Sequence, residues 1–206
     1  MTASMGERVA VLVSGSGTNL QALIDEPTLR PHLELVLADR PGIRAIDRAE
    51  AAGIATAVVD PAGSTTRDDF DRAVLDTLLE HGIDVVVSAG YMRVLGKPVL
   101  DAFGGRVLNV HPALLPSFPG THAVRDALEH GVRVTGVTVH LVDEGTDTGP
   151  IVLQEAVEVR PDDDWDSLEP RIHEVEHRLL PRALRALLDG RIAVDGRHVT
   201  IQGGEA

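Results

Sequence analysis

Short apolar runs alternate with amphipathic stretches along the first half of the chain, and this alternation restricts the fold more than any other feature. The runs are rich in Val, Leu, Ile and Ala and lie at residues 8–14, 33–38, 54–59, 84–88 and 106–110. Between them, helical periodicity ends at about Ile24, at Gly53 and at Gly82. Strands that alternate with helices build parallel sheets, because each crossover returns the chain to the same end of the sheet. The sequence therefore predicts a single α/β domain over residues 1–206, with a Rossmann-like, mostly parallel sheet and helices on both faces.

The second half contains longer elements. Residues 132–142 and 151–159 are predicted strands, and the second is compatible with antiparallel pairing. Residues 165–188 have the pattern of a long helix, and 191–201 that of a hairpin turned at Asp195-Gly196. Two shorter helices are predicted at 66–80 and 123–130. The core positions of the first are predicted to be Phe70, Val74, Leu75, Leu78 and Leu79.

Charge and composition restrict the partners. The 32 acidic and 19 basic residues give a net charge of −13, which argues against a broad nucleic-acid surface, since phosphate binding needs clustered Lys and Arg. No apolar run is long enough to span a membrane, and residues 1–8 lack the apolar core of a secretory leader. Without cysteine the chain forms no disulfide. We therefore expect a cytoplasmic protein that acts on small molecules, without nucleic-acid or membrane partners.

A glycine-rich loop, Ser14-Gly-Ser-Gly-Thr-Asn19, lies between the first strand and the first helix. Backbone amides at such a turn can bind a phosphate. A dinucleotide fingerprint would need a third glycine, but Leu20 stands in its place, and Arg40 follows the acid Asp39 that ends the second strand. A phosphate site is therefore favoured over a nicotinamide site, and a plain turn remains the alternative.

Asn109 and His111 lie two residues apart at the end of the strand 106–110 and therefore point to the same side. Pro112 cannot donate a ladder hydrogen bond, so pairing should stop at His111. An amide donor and a titratable imidazole on one face can polarise a carbonyl and move a proton. A purely structural pair is the alternative for these residues taken alone.

Three loops accompany this pair. Residues 89–95 are apolar enough to line a slot for a flat ring, although ordinary loop packing would need the same residues. The proline-rich stretch 111–122 is typical of a functional loop. Residues 143–150 offer three carboxylates, any of which could orient and charge His111. Spacing does not choose among Asp143, Glu144 and Asp147.

These motifs, taken in order, resemble those of the formyltetrahydrofolate-dependent formyltransferases. The resemblance rests on the glycine-rich opening and on Ala89-Gly-Tyr-Met-Arg-Val-Leu95, Asn109-Val-His-Pro-Ala-Leu-Leu-Pro-Ser-Phe-Pro-Gly120 and Asp147-Thr-Gly-Pro-Ile151. It covers nearly the whole chain. It implies transfer of a formyl group from 10-formyltetrahydrofolate, as co-substrate, to the amine of 5′-phosphoribosylglycinamide in purine biosynthesis. It implies no metal and leaves a homodimer open.

The resemblance also implies a set of site residues. The catalytic residues would be Asn109, His111 and Asp147. The ribotide would contact Gly17, Thr18, Asn19 and Glu176. The folate would contact Arg67, Met92, Arg93, Val94, Leu95 and Asn109.

Two histidine patterns give other indications. His173-Glu-Val-Glu-His177 matches the zinc-protease motif H-E-x-x-H. Zinc also needs a third protein ligand, and no further histidine follows in the pattern, so we expect a chance match without metal. His140 is interpreted as a core histidine rather than a support for Asp147. Besides formyl transfer, the open alternatives are a nicotinamide dehydrogenase, a zinc hydrolase and a non-catalytic nucleotide-binding module.

Overall fold

The computed structural model describes residues 6–203. Residues 1–5 and 204–206 lie outside this range, and with them most of the segment considered for a leader. Seven strands form one sheet, in the order Ala55–Val58, Leu33–Ala38, Val9–Val13, Val85–Ser88, Val107–His111, Val134–Leu141 and Ile151–Glu158. Residues Ile192–Asp195 and His198–Ile201 form a separate hairpin. The chain divides into two compact units, Met1–Val107 and Leu108–Ala206.

The first unit contains a parallel arrangement of strands with helical crossovers. Its elements are β1 (Val9–Val13), α1 (Thr18–Ile24), β2 (Leu33–Ala38), α2 (Arg44–Ala51), β3 (Ala55–Val58), α3 (Arg67–Glu80), β4 (Val85–Ser88) and α4 (Lys97–Ala102). β1 pairs in parallel with both β2 and β4, and β2 pairs in parallel with β3. Every residue of β1 is buried, as the continuous apolar run predicts for a central parallel strand.

The second unit is antiparallel. Its elements are β5 (Val107–His111), α5 (Ala123–Glu129), β6 (Val134–Leu141), β7 (Ile151–Glu158), α6 (Trp165–Leu188), β8 (Ile192–Asp195) and β9 (His198–Ile201). β6 pairs antiparallel with β5 and with β7. The buried side of α6 is a stripe at helical spacing that includes Leu168, Ile172, Val175 and Leu179.

The predicted fold class is confirmed, and most predicted elements agree with the structure to within two residues. Three details of the prediction were wrong. The strand predicted at 106–110 is shifted by one residue, because His111 still pairs with Thr138 and the proline follows only afterwards. Leu79 is 55% exposed instead of buried. The hairpin turn lies one residue later, at residues 196–197, because Asp195 still pairs with His198.

Helix α4 was not predicted. It has six residues, and Val99 is its buried position, so the sequence shows no apolar periodicity there. Whether residues 1–206 act as one domain remains a prediction. Within residues 6–203, no helix is both long enough and apolar enough to cross a membrane.

Candidate active site

The register between β5 and β6 determines which side chains share a face with Asn109 and His111. Asn109 lies opposite His140, and His111 lies opposite Thr138. Directly opposed residues of an antiparallel pair project to the same side of the sheet. Thr138 Oγ1 donates to Ala113 O at 2.6 Å and accepts from Leu115 N at 3.1 Å. The strand pair therefore positions both functional side chains and also holds the start of the loop that follows them.

The His111 side chain is 5% exposed, and both of its ring nitrogens face acceptors. Nε2 lies 2.8 Å from Phe118 O, and since a carbonyl oxygen only accepts, Nε2 carries a proton. Nδ1 lies 3.4 Å from Asp147 Oδ2. A ring that is protonated at Nδ1 as well would donate to both oxygens.

Asp147 is held in an uncommon backbone conformation, with φ at +54°. Its Oδ2 accepts from Gly120 N at 2.7 Å, and its Oδ1 lies 3.4 Å from Asn109 Nδ2 and 3.6 Å from His140 Nε2. Burial raises the pKa of the Asp147 carboxyl. Hydrogen bonds to the carboxylate, among them that from the Gly120 N–H, and the charge of His111 together outweigh this effect, so the pKa lies below its ordinary value. Asp147 is therefore an ionised carboxylate with donors on both oxygens.

His140 is buried, as expected of a core histidine, but it also contacts both Asn109 and Asp147. Its Nδ1 lies 3.0 Å from Leu141 O and donates to that carbonyl. The neutral ring then has its lone pair on Nε2, which can accept from Asn109 Nδ2 at 3.1 Å. The Asn109 amide nitrogen therefore faces His140 and Asp147. The sequence could have indicated this role only through the strand register.

In the first unit, the loops at 14–19 and 89–95 lie together at the carboxyl ends of β1 and β4. Ser14 N donates to Gly90 O at 3.2 Å, and Ser14 Oγ accepts from Met92 N at 2.8 Å. Met92 and Val94 are 53% and 56% exposed, whereas Tyr91 and Leu95 are buried. The side chains of Met92 and Val94 are apolar and exposed, and the hydrogen bond from Met92 N to Ser14 fixes the backbone that carries them. This arrangement is compatible with the predicted slot for a flat ring.

The side chain of Arg93 is bound to the protein itself. Arg93 Nε donates to Asp39 Oδ2 at 3.1 Å, and Arg40 Nε donates to Asp39 Oδ1 at 3.0 Å. Burial raises the pKa of Asp39, but Arg40, Arg93 and Ser14 lower it more strongly, so it lies below the ordinary value. Arg93 is therefore bound to Asp39, although 44% of its side chain remains exposed.

The glycine-rich loop needs Gly17 for packing. Gly17 has φ at +70° and directly precedes α1. A Cβ at this position would lie 2.7 Å from Ala45 Cβ on α2, whereas one at Gly15 would have no atom within 4 Å. Of the ribotide residues predicted here, Asn19 is buried and Thr18 is half-buried.

Glu176 is buried on α6 and is paired with His173, whose Nδ1 lies 2.7 Å from Glu176 Oε2. Glu169 Oε1 lies 3.7 Å from the other ring nitrogen of His173. The hydrogen bond to Glu176 outweighs burial and raises the pKa of His173 above its ordinary value. Within the described range 6–203, no three His, Cys, Asp or Glu side chains are placed to hold one metal ion.

The formyl transferase family model matches residues 7–184 of the chain. The chain belongs to the formyl transferase family. A phosphoribosylglycinamide formyltransferase from Mycobacterium tuberculosis (strain H37Rv) is 47% identical over 202 residues, which cover 94% of each protein. One from Bacillus subtilis (strain 168) is 40% identical over 185 residues, or 88% of this chain and 95% of that protein. The crystal structure of glycinamide ribonucleotide transformylase 1 from Symbiobacterium toebii superposes with a TM-score of 0.93 at 45% identity, covering 97% of this chain and 95% of that chain.

This formyl transferase also matches part of larger proteins. It spans 14% of the trifunctional purine biosynthetic protein adenosine-3 of Drosophila melanogaster and 19% of the human one, at 44% and 45% identity.

Within the formyl transferase fold, the structure groups the predicted residues into separate clusters. Asn109, His111 and Asp147 lie together in the second unit, and Arg67 contacts the segment 92–95 in the first. The sequence analysis missed several side chains that hold these clusters together. They are Asp39, Asp71, Thr138 and His140.

Proposed function

We propose that the chain transfers the formyl group of 10-formyltetrahydrofolate to the primary amine of 5′-phosphoribosylglycinamide, producing formylglycinamide ribotide and tetrahydrofolate. The names of relatives that are 40–47% identical over most of the chain support this substrate pair. The observation that carries the chemistry is the contact of Asn109 and His111 with one ionised carboxylate, Asp147.

In the proposed reaction the amine attacks the formyl carbon, and the carbonyl oxygen becomes an oxyanion. Asn109 supplies the N–H donor, because its 3.4 Å contact with Asp147 is long enough to be shared with a new acceptor. His111 stabilises the oxyanion through its positive charge, since both of its nitrogens already face protein oxygens. Asp147 maintains that charge. Collapse of the intermediate breaks the bond to the folate nitrogen.

Proton transfer completes the reaction. The attacking amine loses a proton and the departing folate nitrogen gains one, so no net proton is consumed. We propose that Asp147, acting with a water molecule, carries this proton. The Gly120 N–H, which donates to Asp147 Oδ2 at 2.7 Å, holds the carboxylate in place during the transfer. The protein supplies positioning and charge, and the folate carries the one-carbon unit.

The substrates are assigned to the clusters as follows. The folate is proposed to bind along Met92–Leu95 with Arg67 and Asn109. The ribotide phosphate is proposed to bind the amides of Gly17, Thr18 and Asn19, and Glu176 is proposed to serve the ribotide. We further propose a cytoplasmic location, and a homodimer stays a prediction for sedimentation analysis.

The deciding experiment measures consumption of 10-formyltetrahydrofolate with and without the ribotide. We expect turnover to tetrahydrofolate only when the ribotide is present, with one formylated product per folate consumed. Equal turnover without the ribotide would assign a hydrolase, and turnover only with methionyl-tRNA would assign a tRNA formyltransferase.

Elemental analysis and activity in the presence of a chelator test for zinc at His173 and His177. Stoichiometric zinc and loss of activity on chelation would contradict the metal-free proposal.

A further inference from the structure

Arg67 is held by two groups of the protein, although more than half of its side chain is exposed. Its Nε lies 2.9 Å from both carboxylate oxygens of Asp71, one turn later on α3. Its Nη2 donates to Val94 O. The Arg67 side chain is 53% exposed and that of Asp71 is 8% exposed. The guanidinium is therefore held in one orientation at the surface, against the backbone of Val94, whose side chain is exposed.

The position of Asp71 is also restricted from the opposite side. A Cβ at Gly96 would lie 2.0 Å from Asp71 Oδ2 and 2.3 Å from Asp71 Cγ, so the carboxylate fits only because residue 96 is glycine. Gly96 directly follows the segment 92–95 and directly precedes α4. Asp71 therefore holds Arg67 while packed against the end of the segment that Arg67 contacts.

This arrangement is unlike an ordinary surface ion pair. Exposed pairs four residues apart on a helix contribute only a few tenths of a kcal/mol, and burying a carboxylate carries a desolvation cost. Lys97 and Asp101 form such an ordinary pair on α4, where both side chains are more than 60% exposed. Asp71 instead has a nearly buried carboxylate, whereas the side chain of its partner Arg67 is 53% exposed. Stability alone is therefore a weak reason for this carboxylate.

We propose that Asp71 is a positioning residue that orients Arg67 toward the folate co-substrate. This inference rests on the proposed function, in which Arg67 contacts the folate. The folate carries its negative charge on the carboxylates of its glutamyl tail, and a pre-oriented guanidinium can donate two parallel hydrogen bonds to such a group. Because Asp71 and Val94 O fix the guanidinium in advance, less side-chain entropy is lost on binding.

The test compares variants of the full chain by steady-state kinetics and by calorimetric binding of tetrahydrofolate. Asp71→Asn keeps the shape but removes the charge, and we expect it to raise the folate KM and the tetrahydrofolate Kd about five- to tenfold. The kcat and the ribotide KM should stay within about twofold of wild type, a split that general destabilisation would not produce. Arg67→Lys keeps the charge but loses the forked geometry and should behave in the same way. Asp101→Asn is the matched control and should leave all constants unchanged.

A double variant shows whether Asp71 affects folate binding only by positioning Arg67 or also independently of Arg67. If Asp71 acts only through Arg67, Arg67→Ala/Asp71→Asn should have the same folate KM as Arg67→Ala alone. A double variant that is clearly worse, or a folded Asp71→Asn protein that binds tetrahydrofolate normally, would overturn the inference. If Asp71→Asn does not fold, Arg67→Lys decides, and a normal folate KM in that variant overturns it as well. A wild-type protein that neither binds tetrahydrofolate nor shows turnover would refute the proposed function and this inference together, before any variant is compared.

Discussion

Asn109 Nδ2 and His140 Nε2 lie 3.1 Å apart across the β5–β6 strand pair, and this contact orients the Asn109 amide. His140 Nδ1 donates to Leu141 O, which leaves Nε2 as an acceptor for the amide. The same amide nitrogen then lies 3.4 Å from Asp147 Oδ1. A buried strand pair, rather than a loop, therefore sets the direction of the proposed oxyanion donor.

Replacing Asn109 by alanine should remove that donor. We expect Asn109→Ala to lower kcat by about 10²- to 10³-fold, by analogy with other oxyanion-hole donors. Folate and ribotide KM values should change far less, because the donor acts on charge that develops only in the transition state. Steady-state kinetics on protein shown to be folded by circular dichroism gives the answer. A folded variant with near-normal kcat would exclude Asn109 from the chemistry.

Replacing Asp147 by asparagine tests the charge next to His111. The substitution suits the site, because asparagine adopts positive φ more readily than most residues and Asp147 has φ at +54°. We expect Asp147→Asn to lower kcat by about 10²-fold or more, since the imidazolium loses its counter-charge. Asp143→Asn is the matched control, because Asp143 is exposed in the same loop and binds Gly145 N and Thr148 Oγ1 locally. Similar losses in both variants would indicate a loop defect instead of lost catalysis.

The sequence was sufficient to predict the alternating elements, because buried parallel strands and an amphipathic helix such as α6 leave strong periodic patterns. It also placed Asn109 and His111 on one face, because that follows from strand geometry. The contacts of His140 and Asp71 were not predictable. The first depends on the register of β5 against β6, and the second on the approach of Gly96 to α3. Both are long-range properties that no local pattern encodes.

The glycine-rich loop offers a comparison between two neighbouring glycines. Gly17→Ala should destabilise the protein by about 1–3 kcal/mol, because the new Cβ meets Ala45 and the backbone φ is positive. Gly15→Ala should change stability by less than about 0.5 kcal/mol, because nothing lies within 4 Å of its Cβ. If the amides of Gly17, Thr18 and Asn19 bind the ribotide phosphate, Gly17→Ala should raise the ribotide KM and leave the folate KM unchanged, whereas Gly15→Ala should change neither value. Thermal unfolding and kinetics on both variants test this, and an equal rise in both KM values would contradict the phosphate assignment.

His173 should make the stability of the protein depend on pH. Its pKa is raised by the hydrogen bond to Glu176, so the protonated ring is favoured in the folded state. The resulting stabilisation is fully present below the unfolded-state pKa of about 6.5 and is lost as pH rises through the raised folded-state pKa. His173→Gln keeps a side-chain donor but cannot become charged. The variant should therefore lose more stability at pH 6 than at pH 9, by a few tenths to about 1 kcal/mol given the partial exposure of the ring. Denaturant unfolding at the two pH values measures this difference.

His130→Gln is the control, because His130 Nδ1 contacts a backbone carbonyl, Asp126 O, rather than a carboxylate. A loss for His173→Gln that is equal at both pH values, or larger at pH 9, would show that the ion pair with Glu176 does not stabilise the fold.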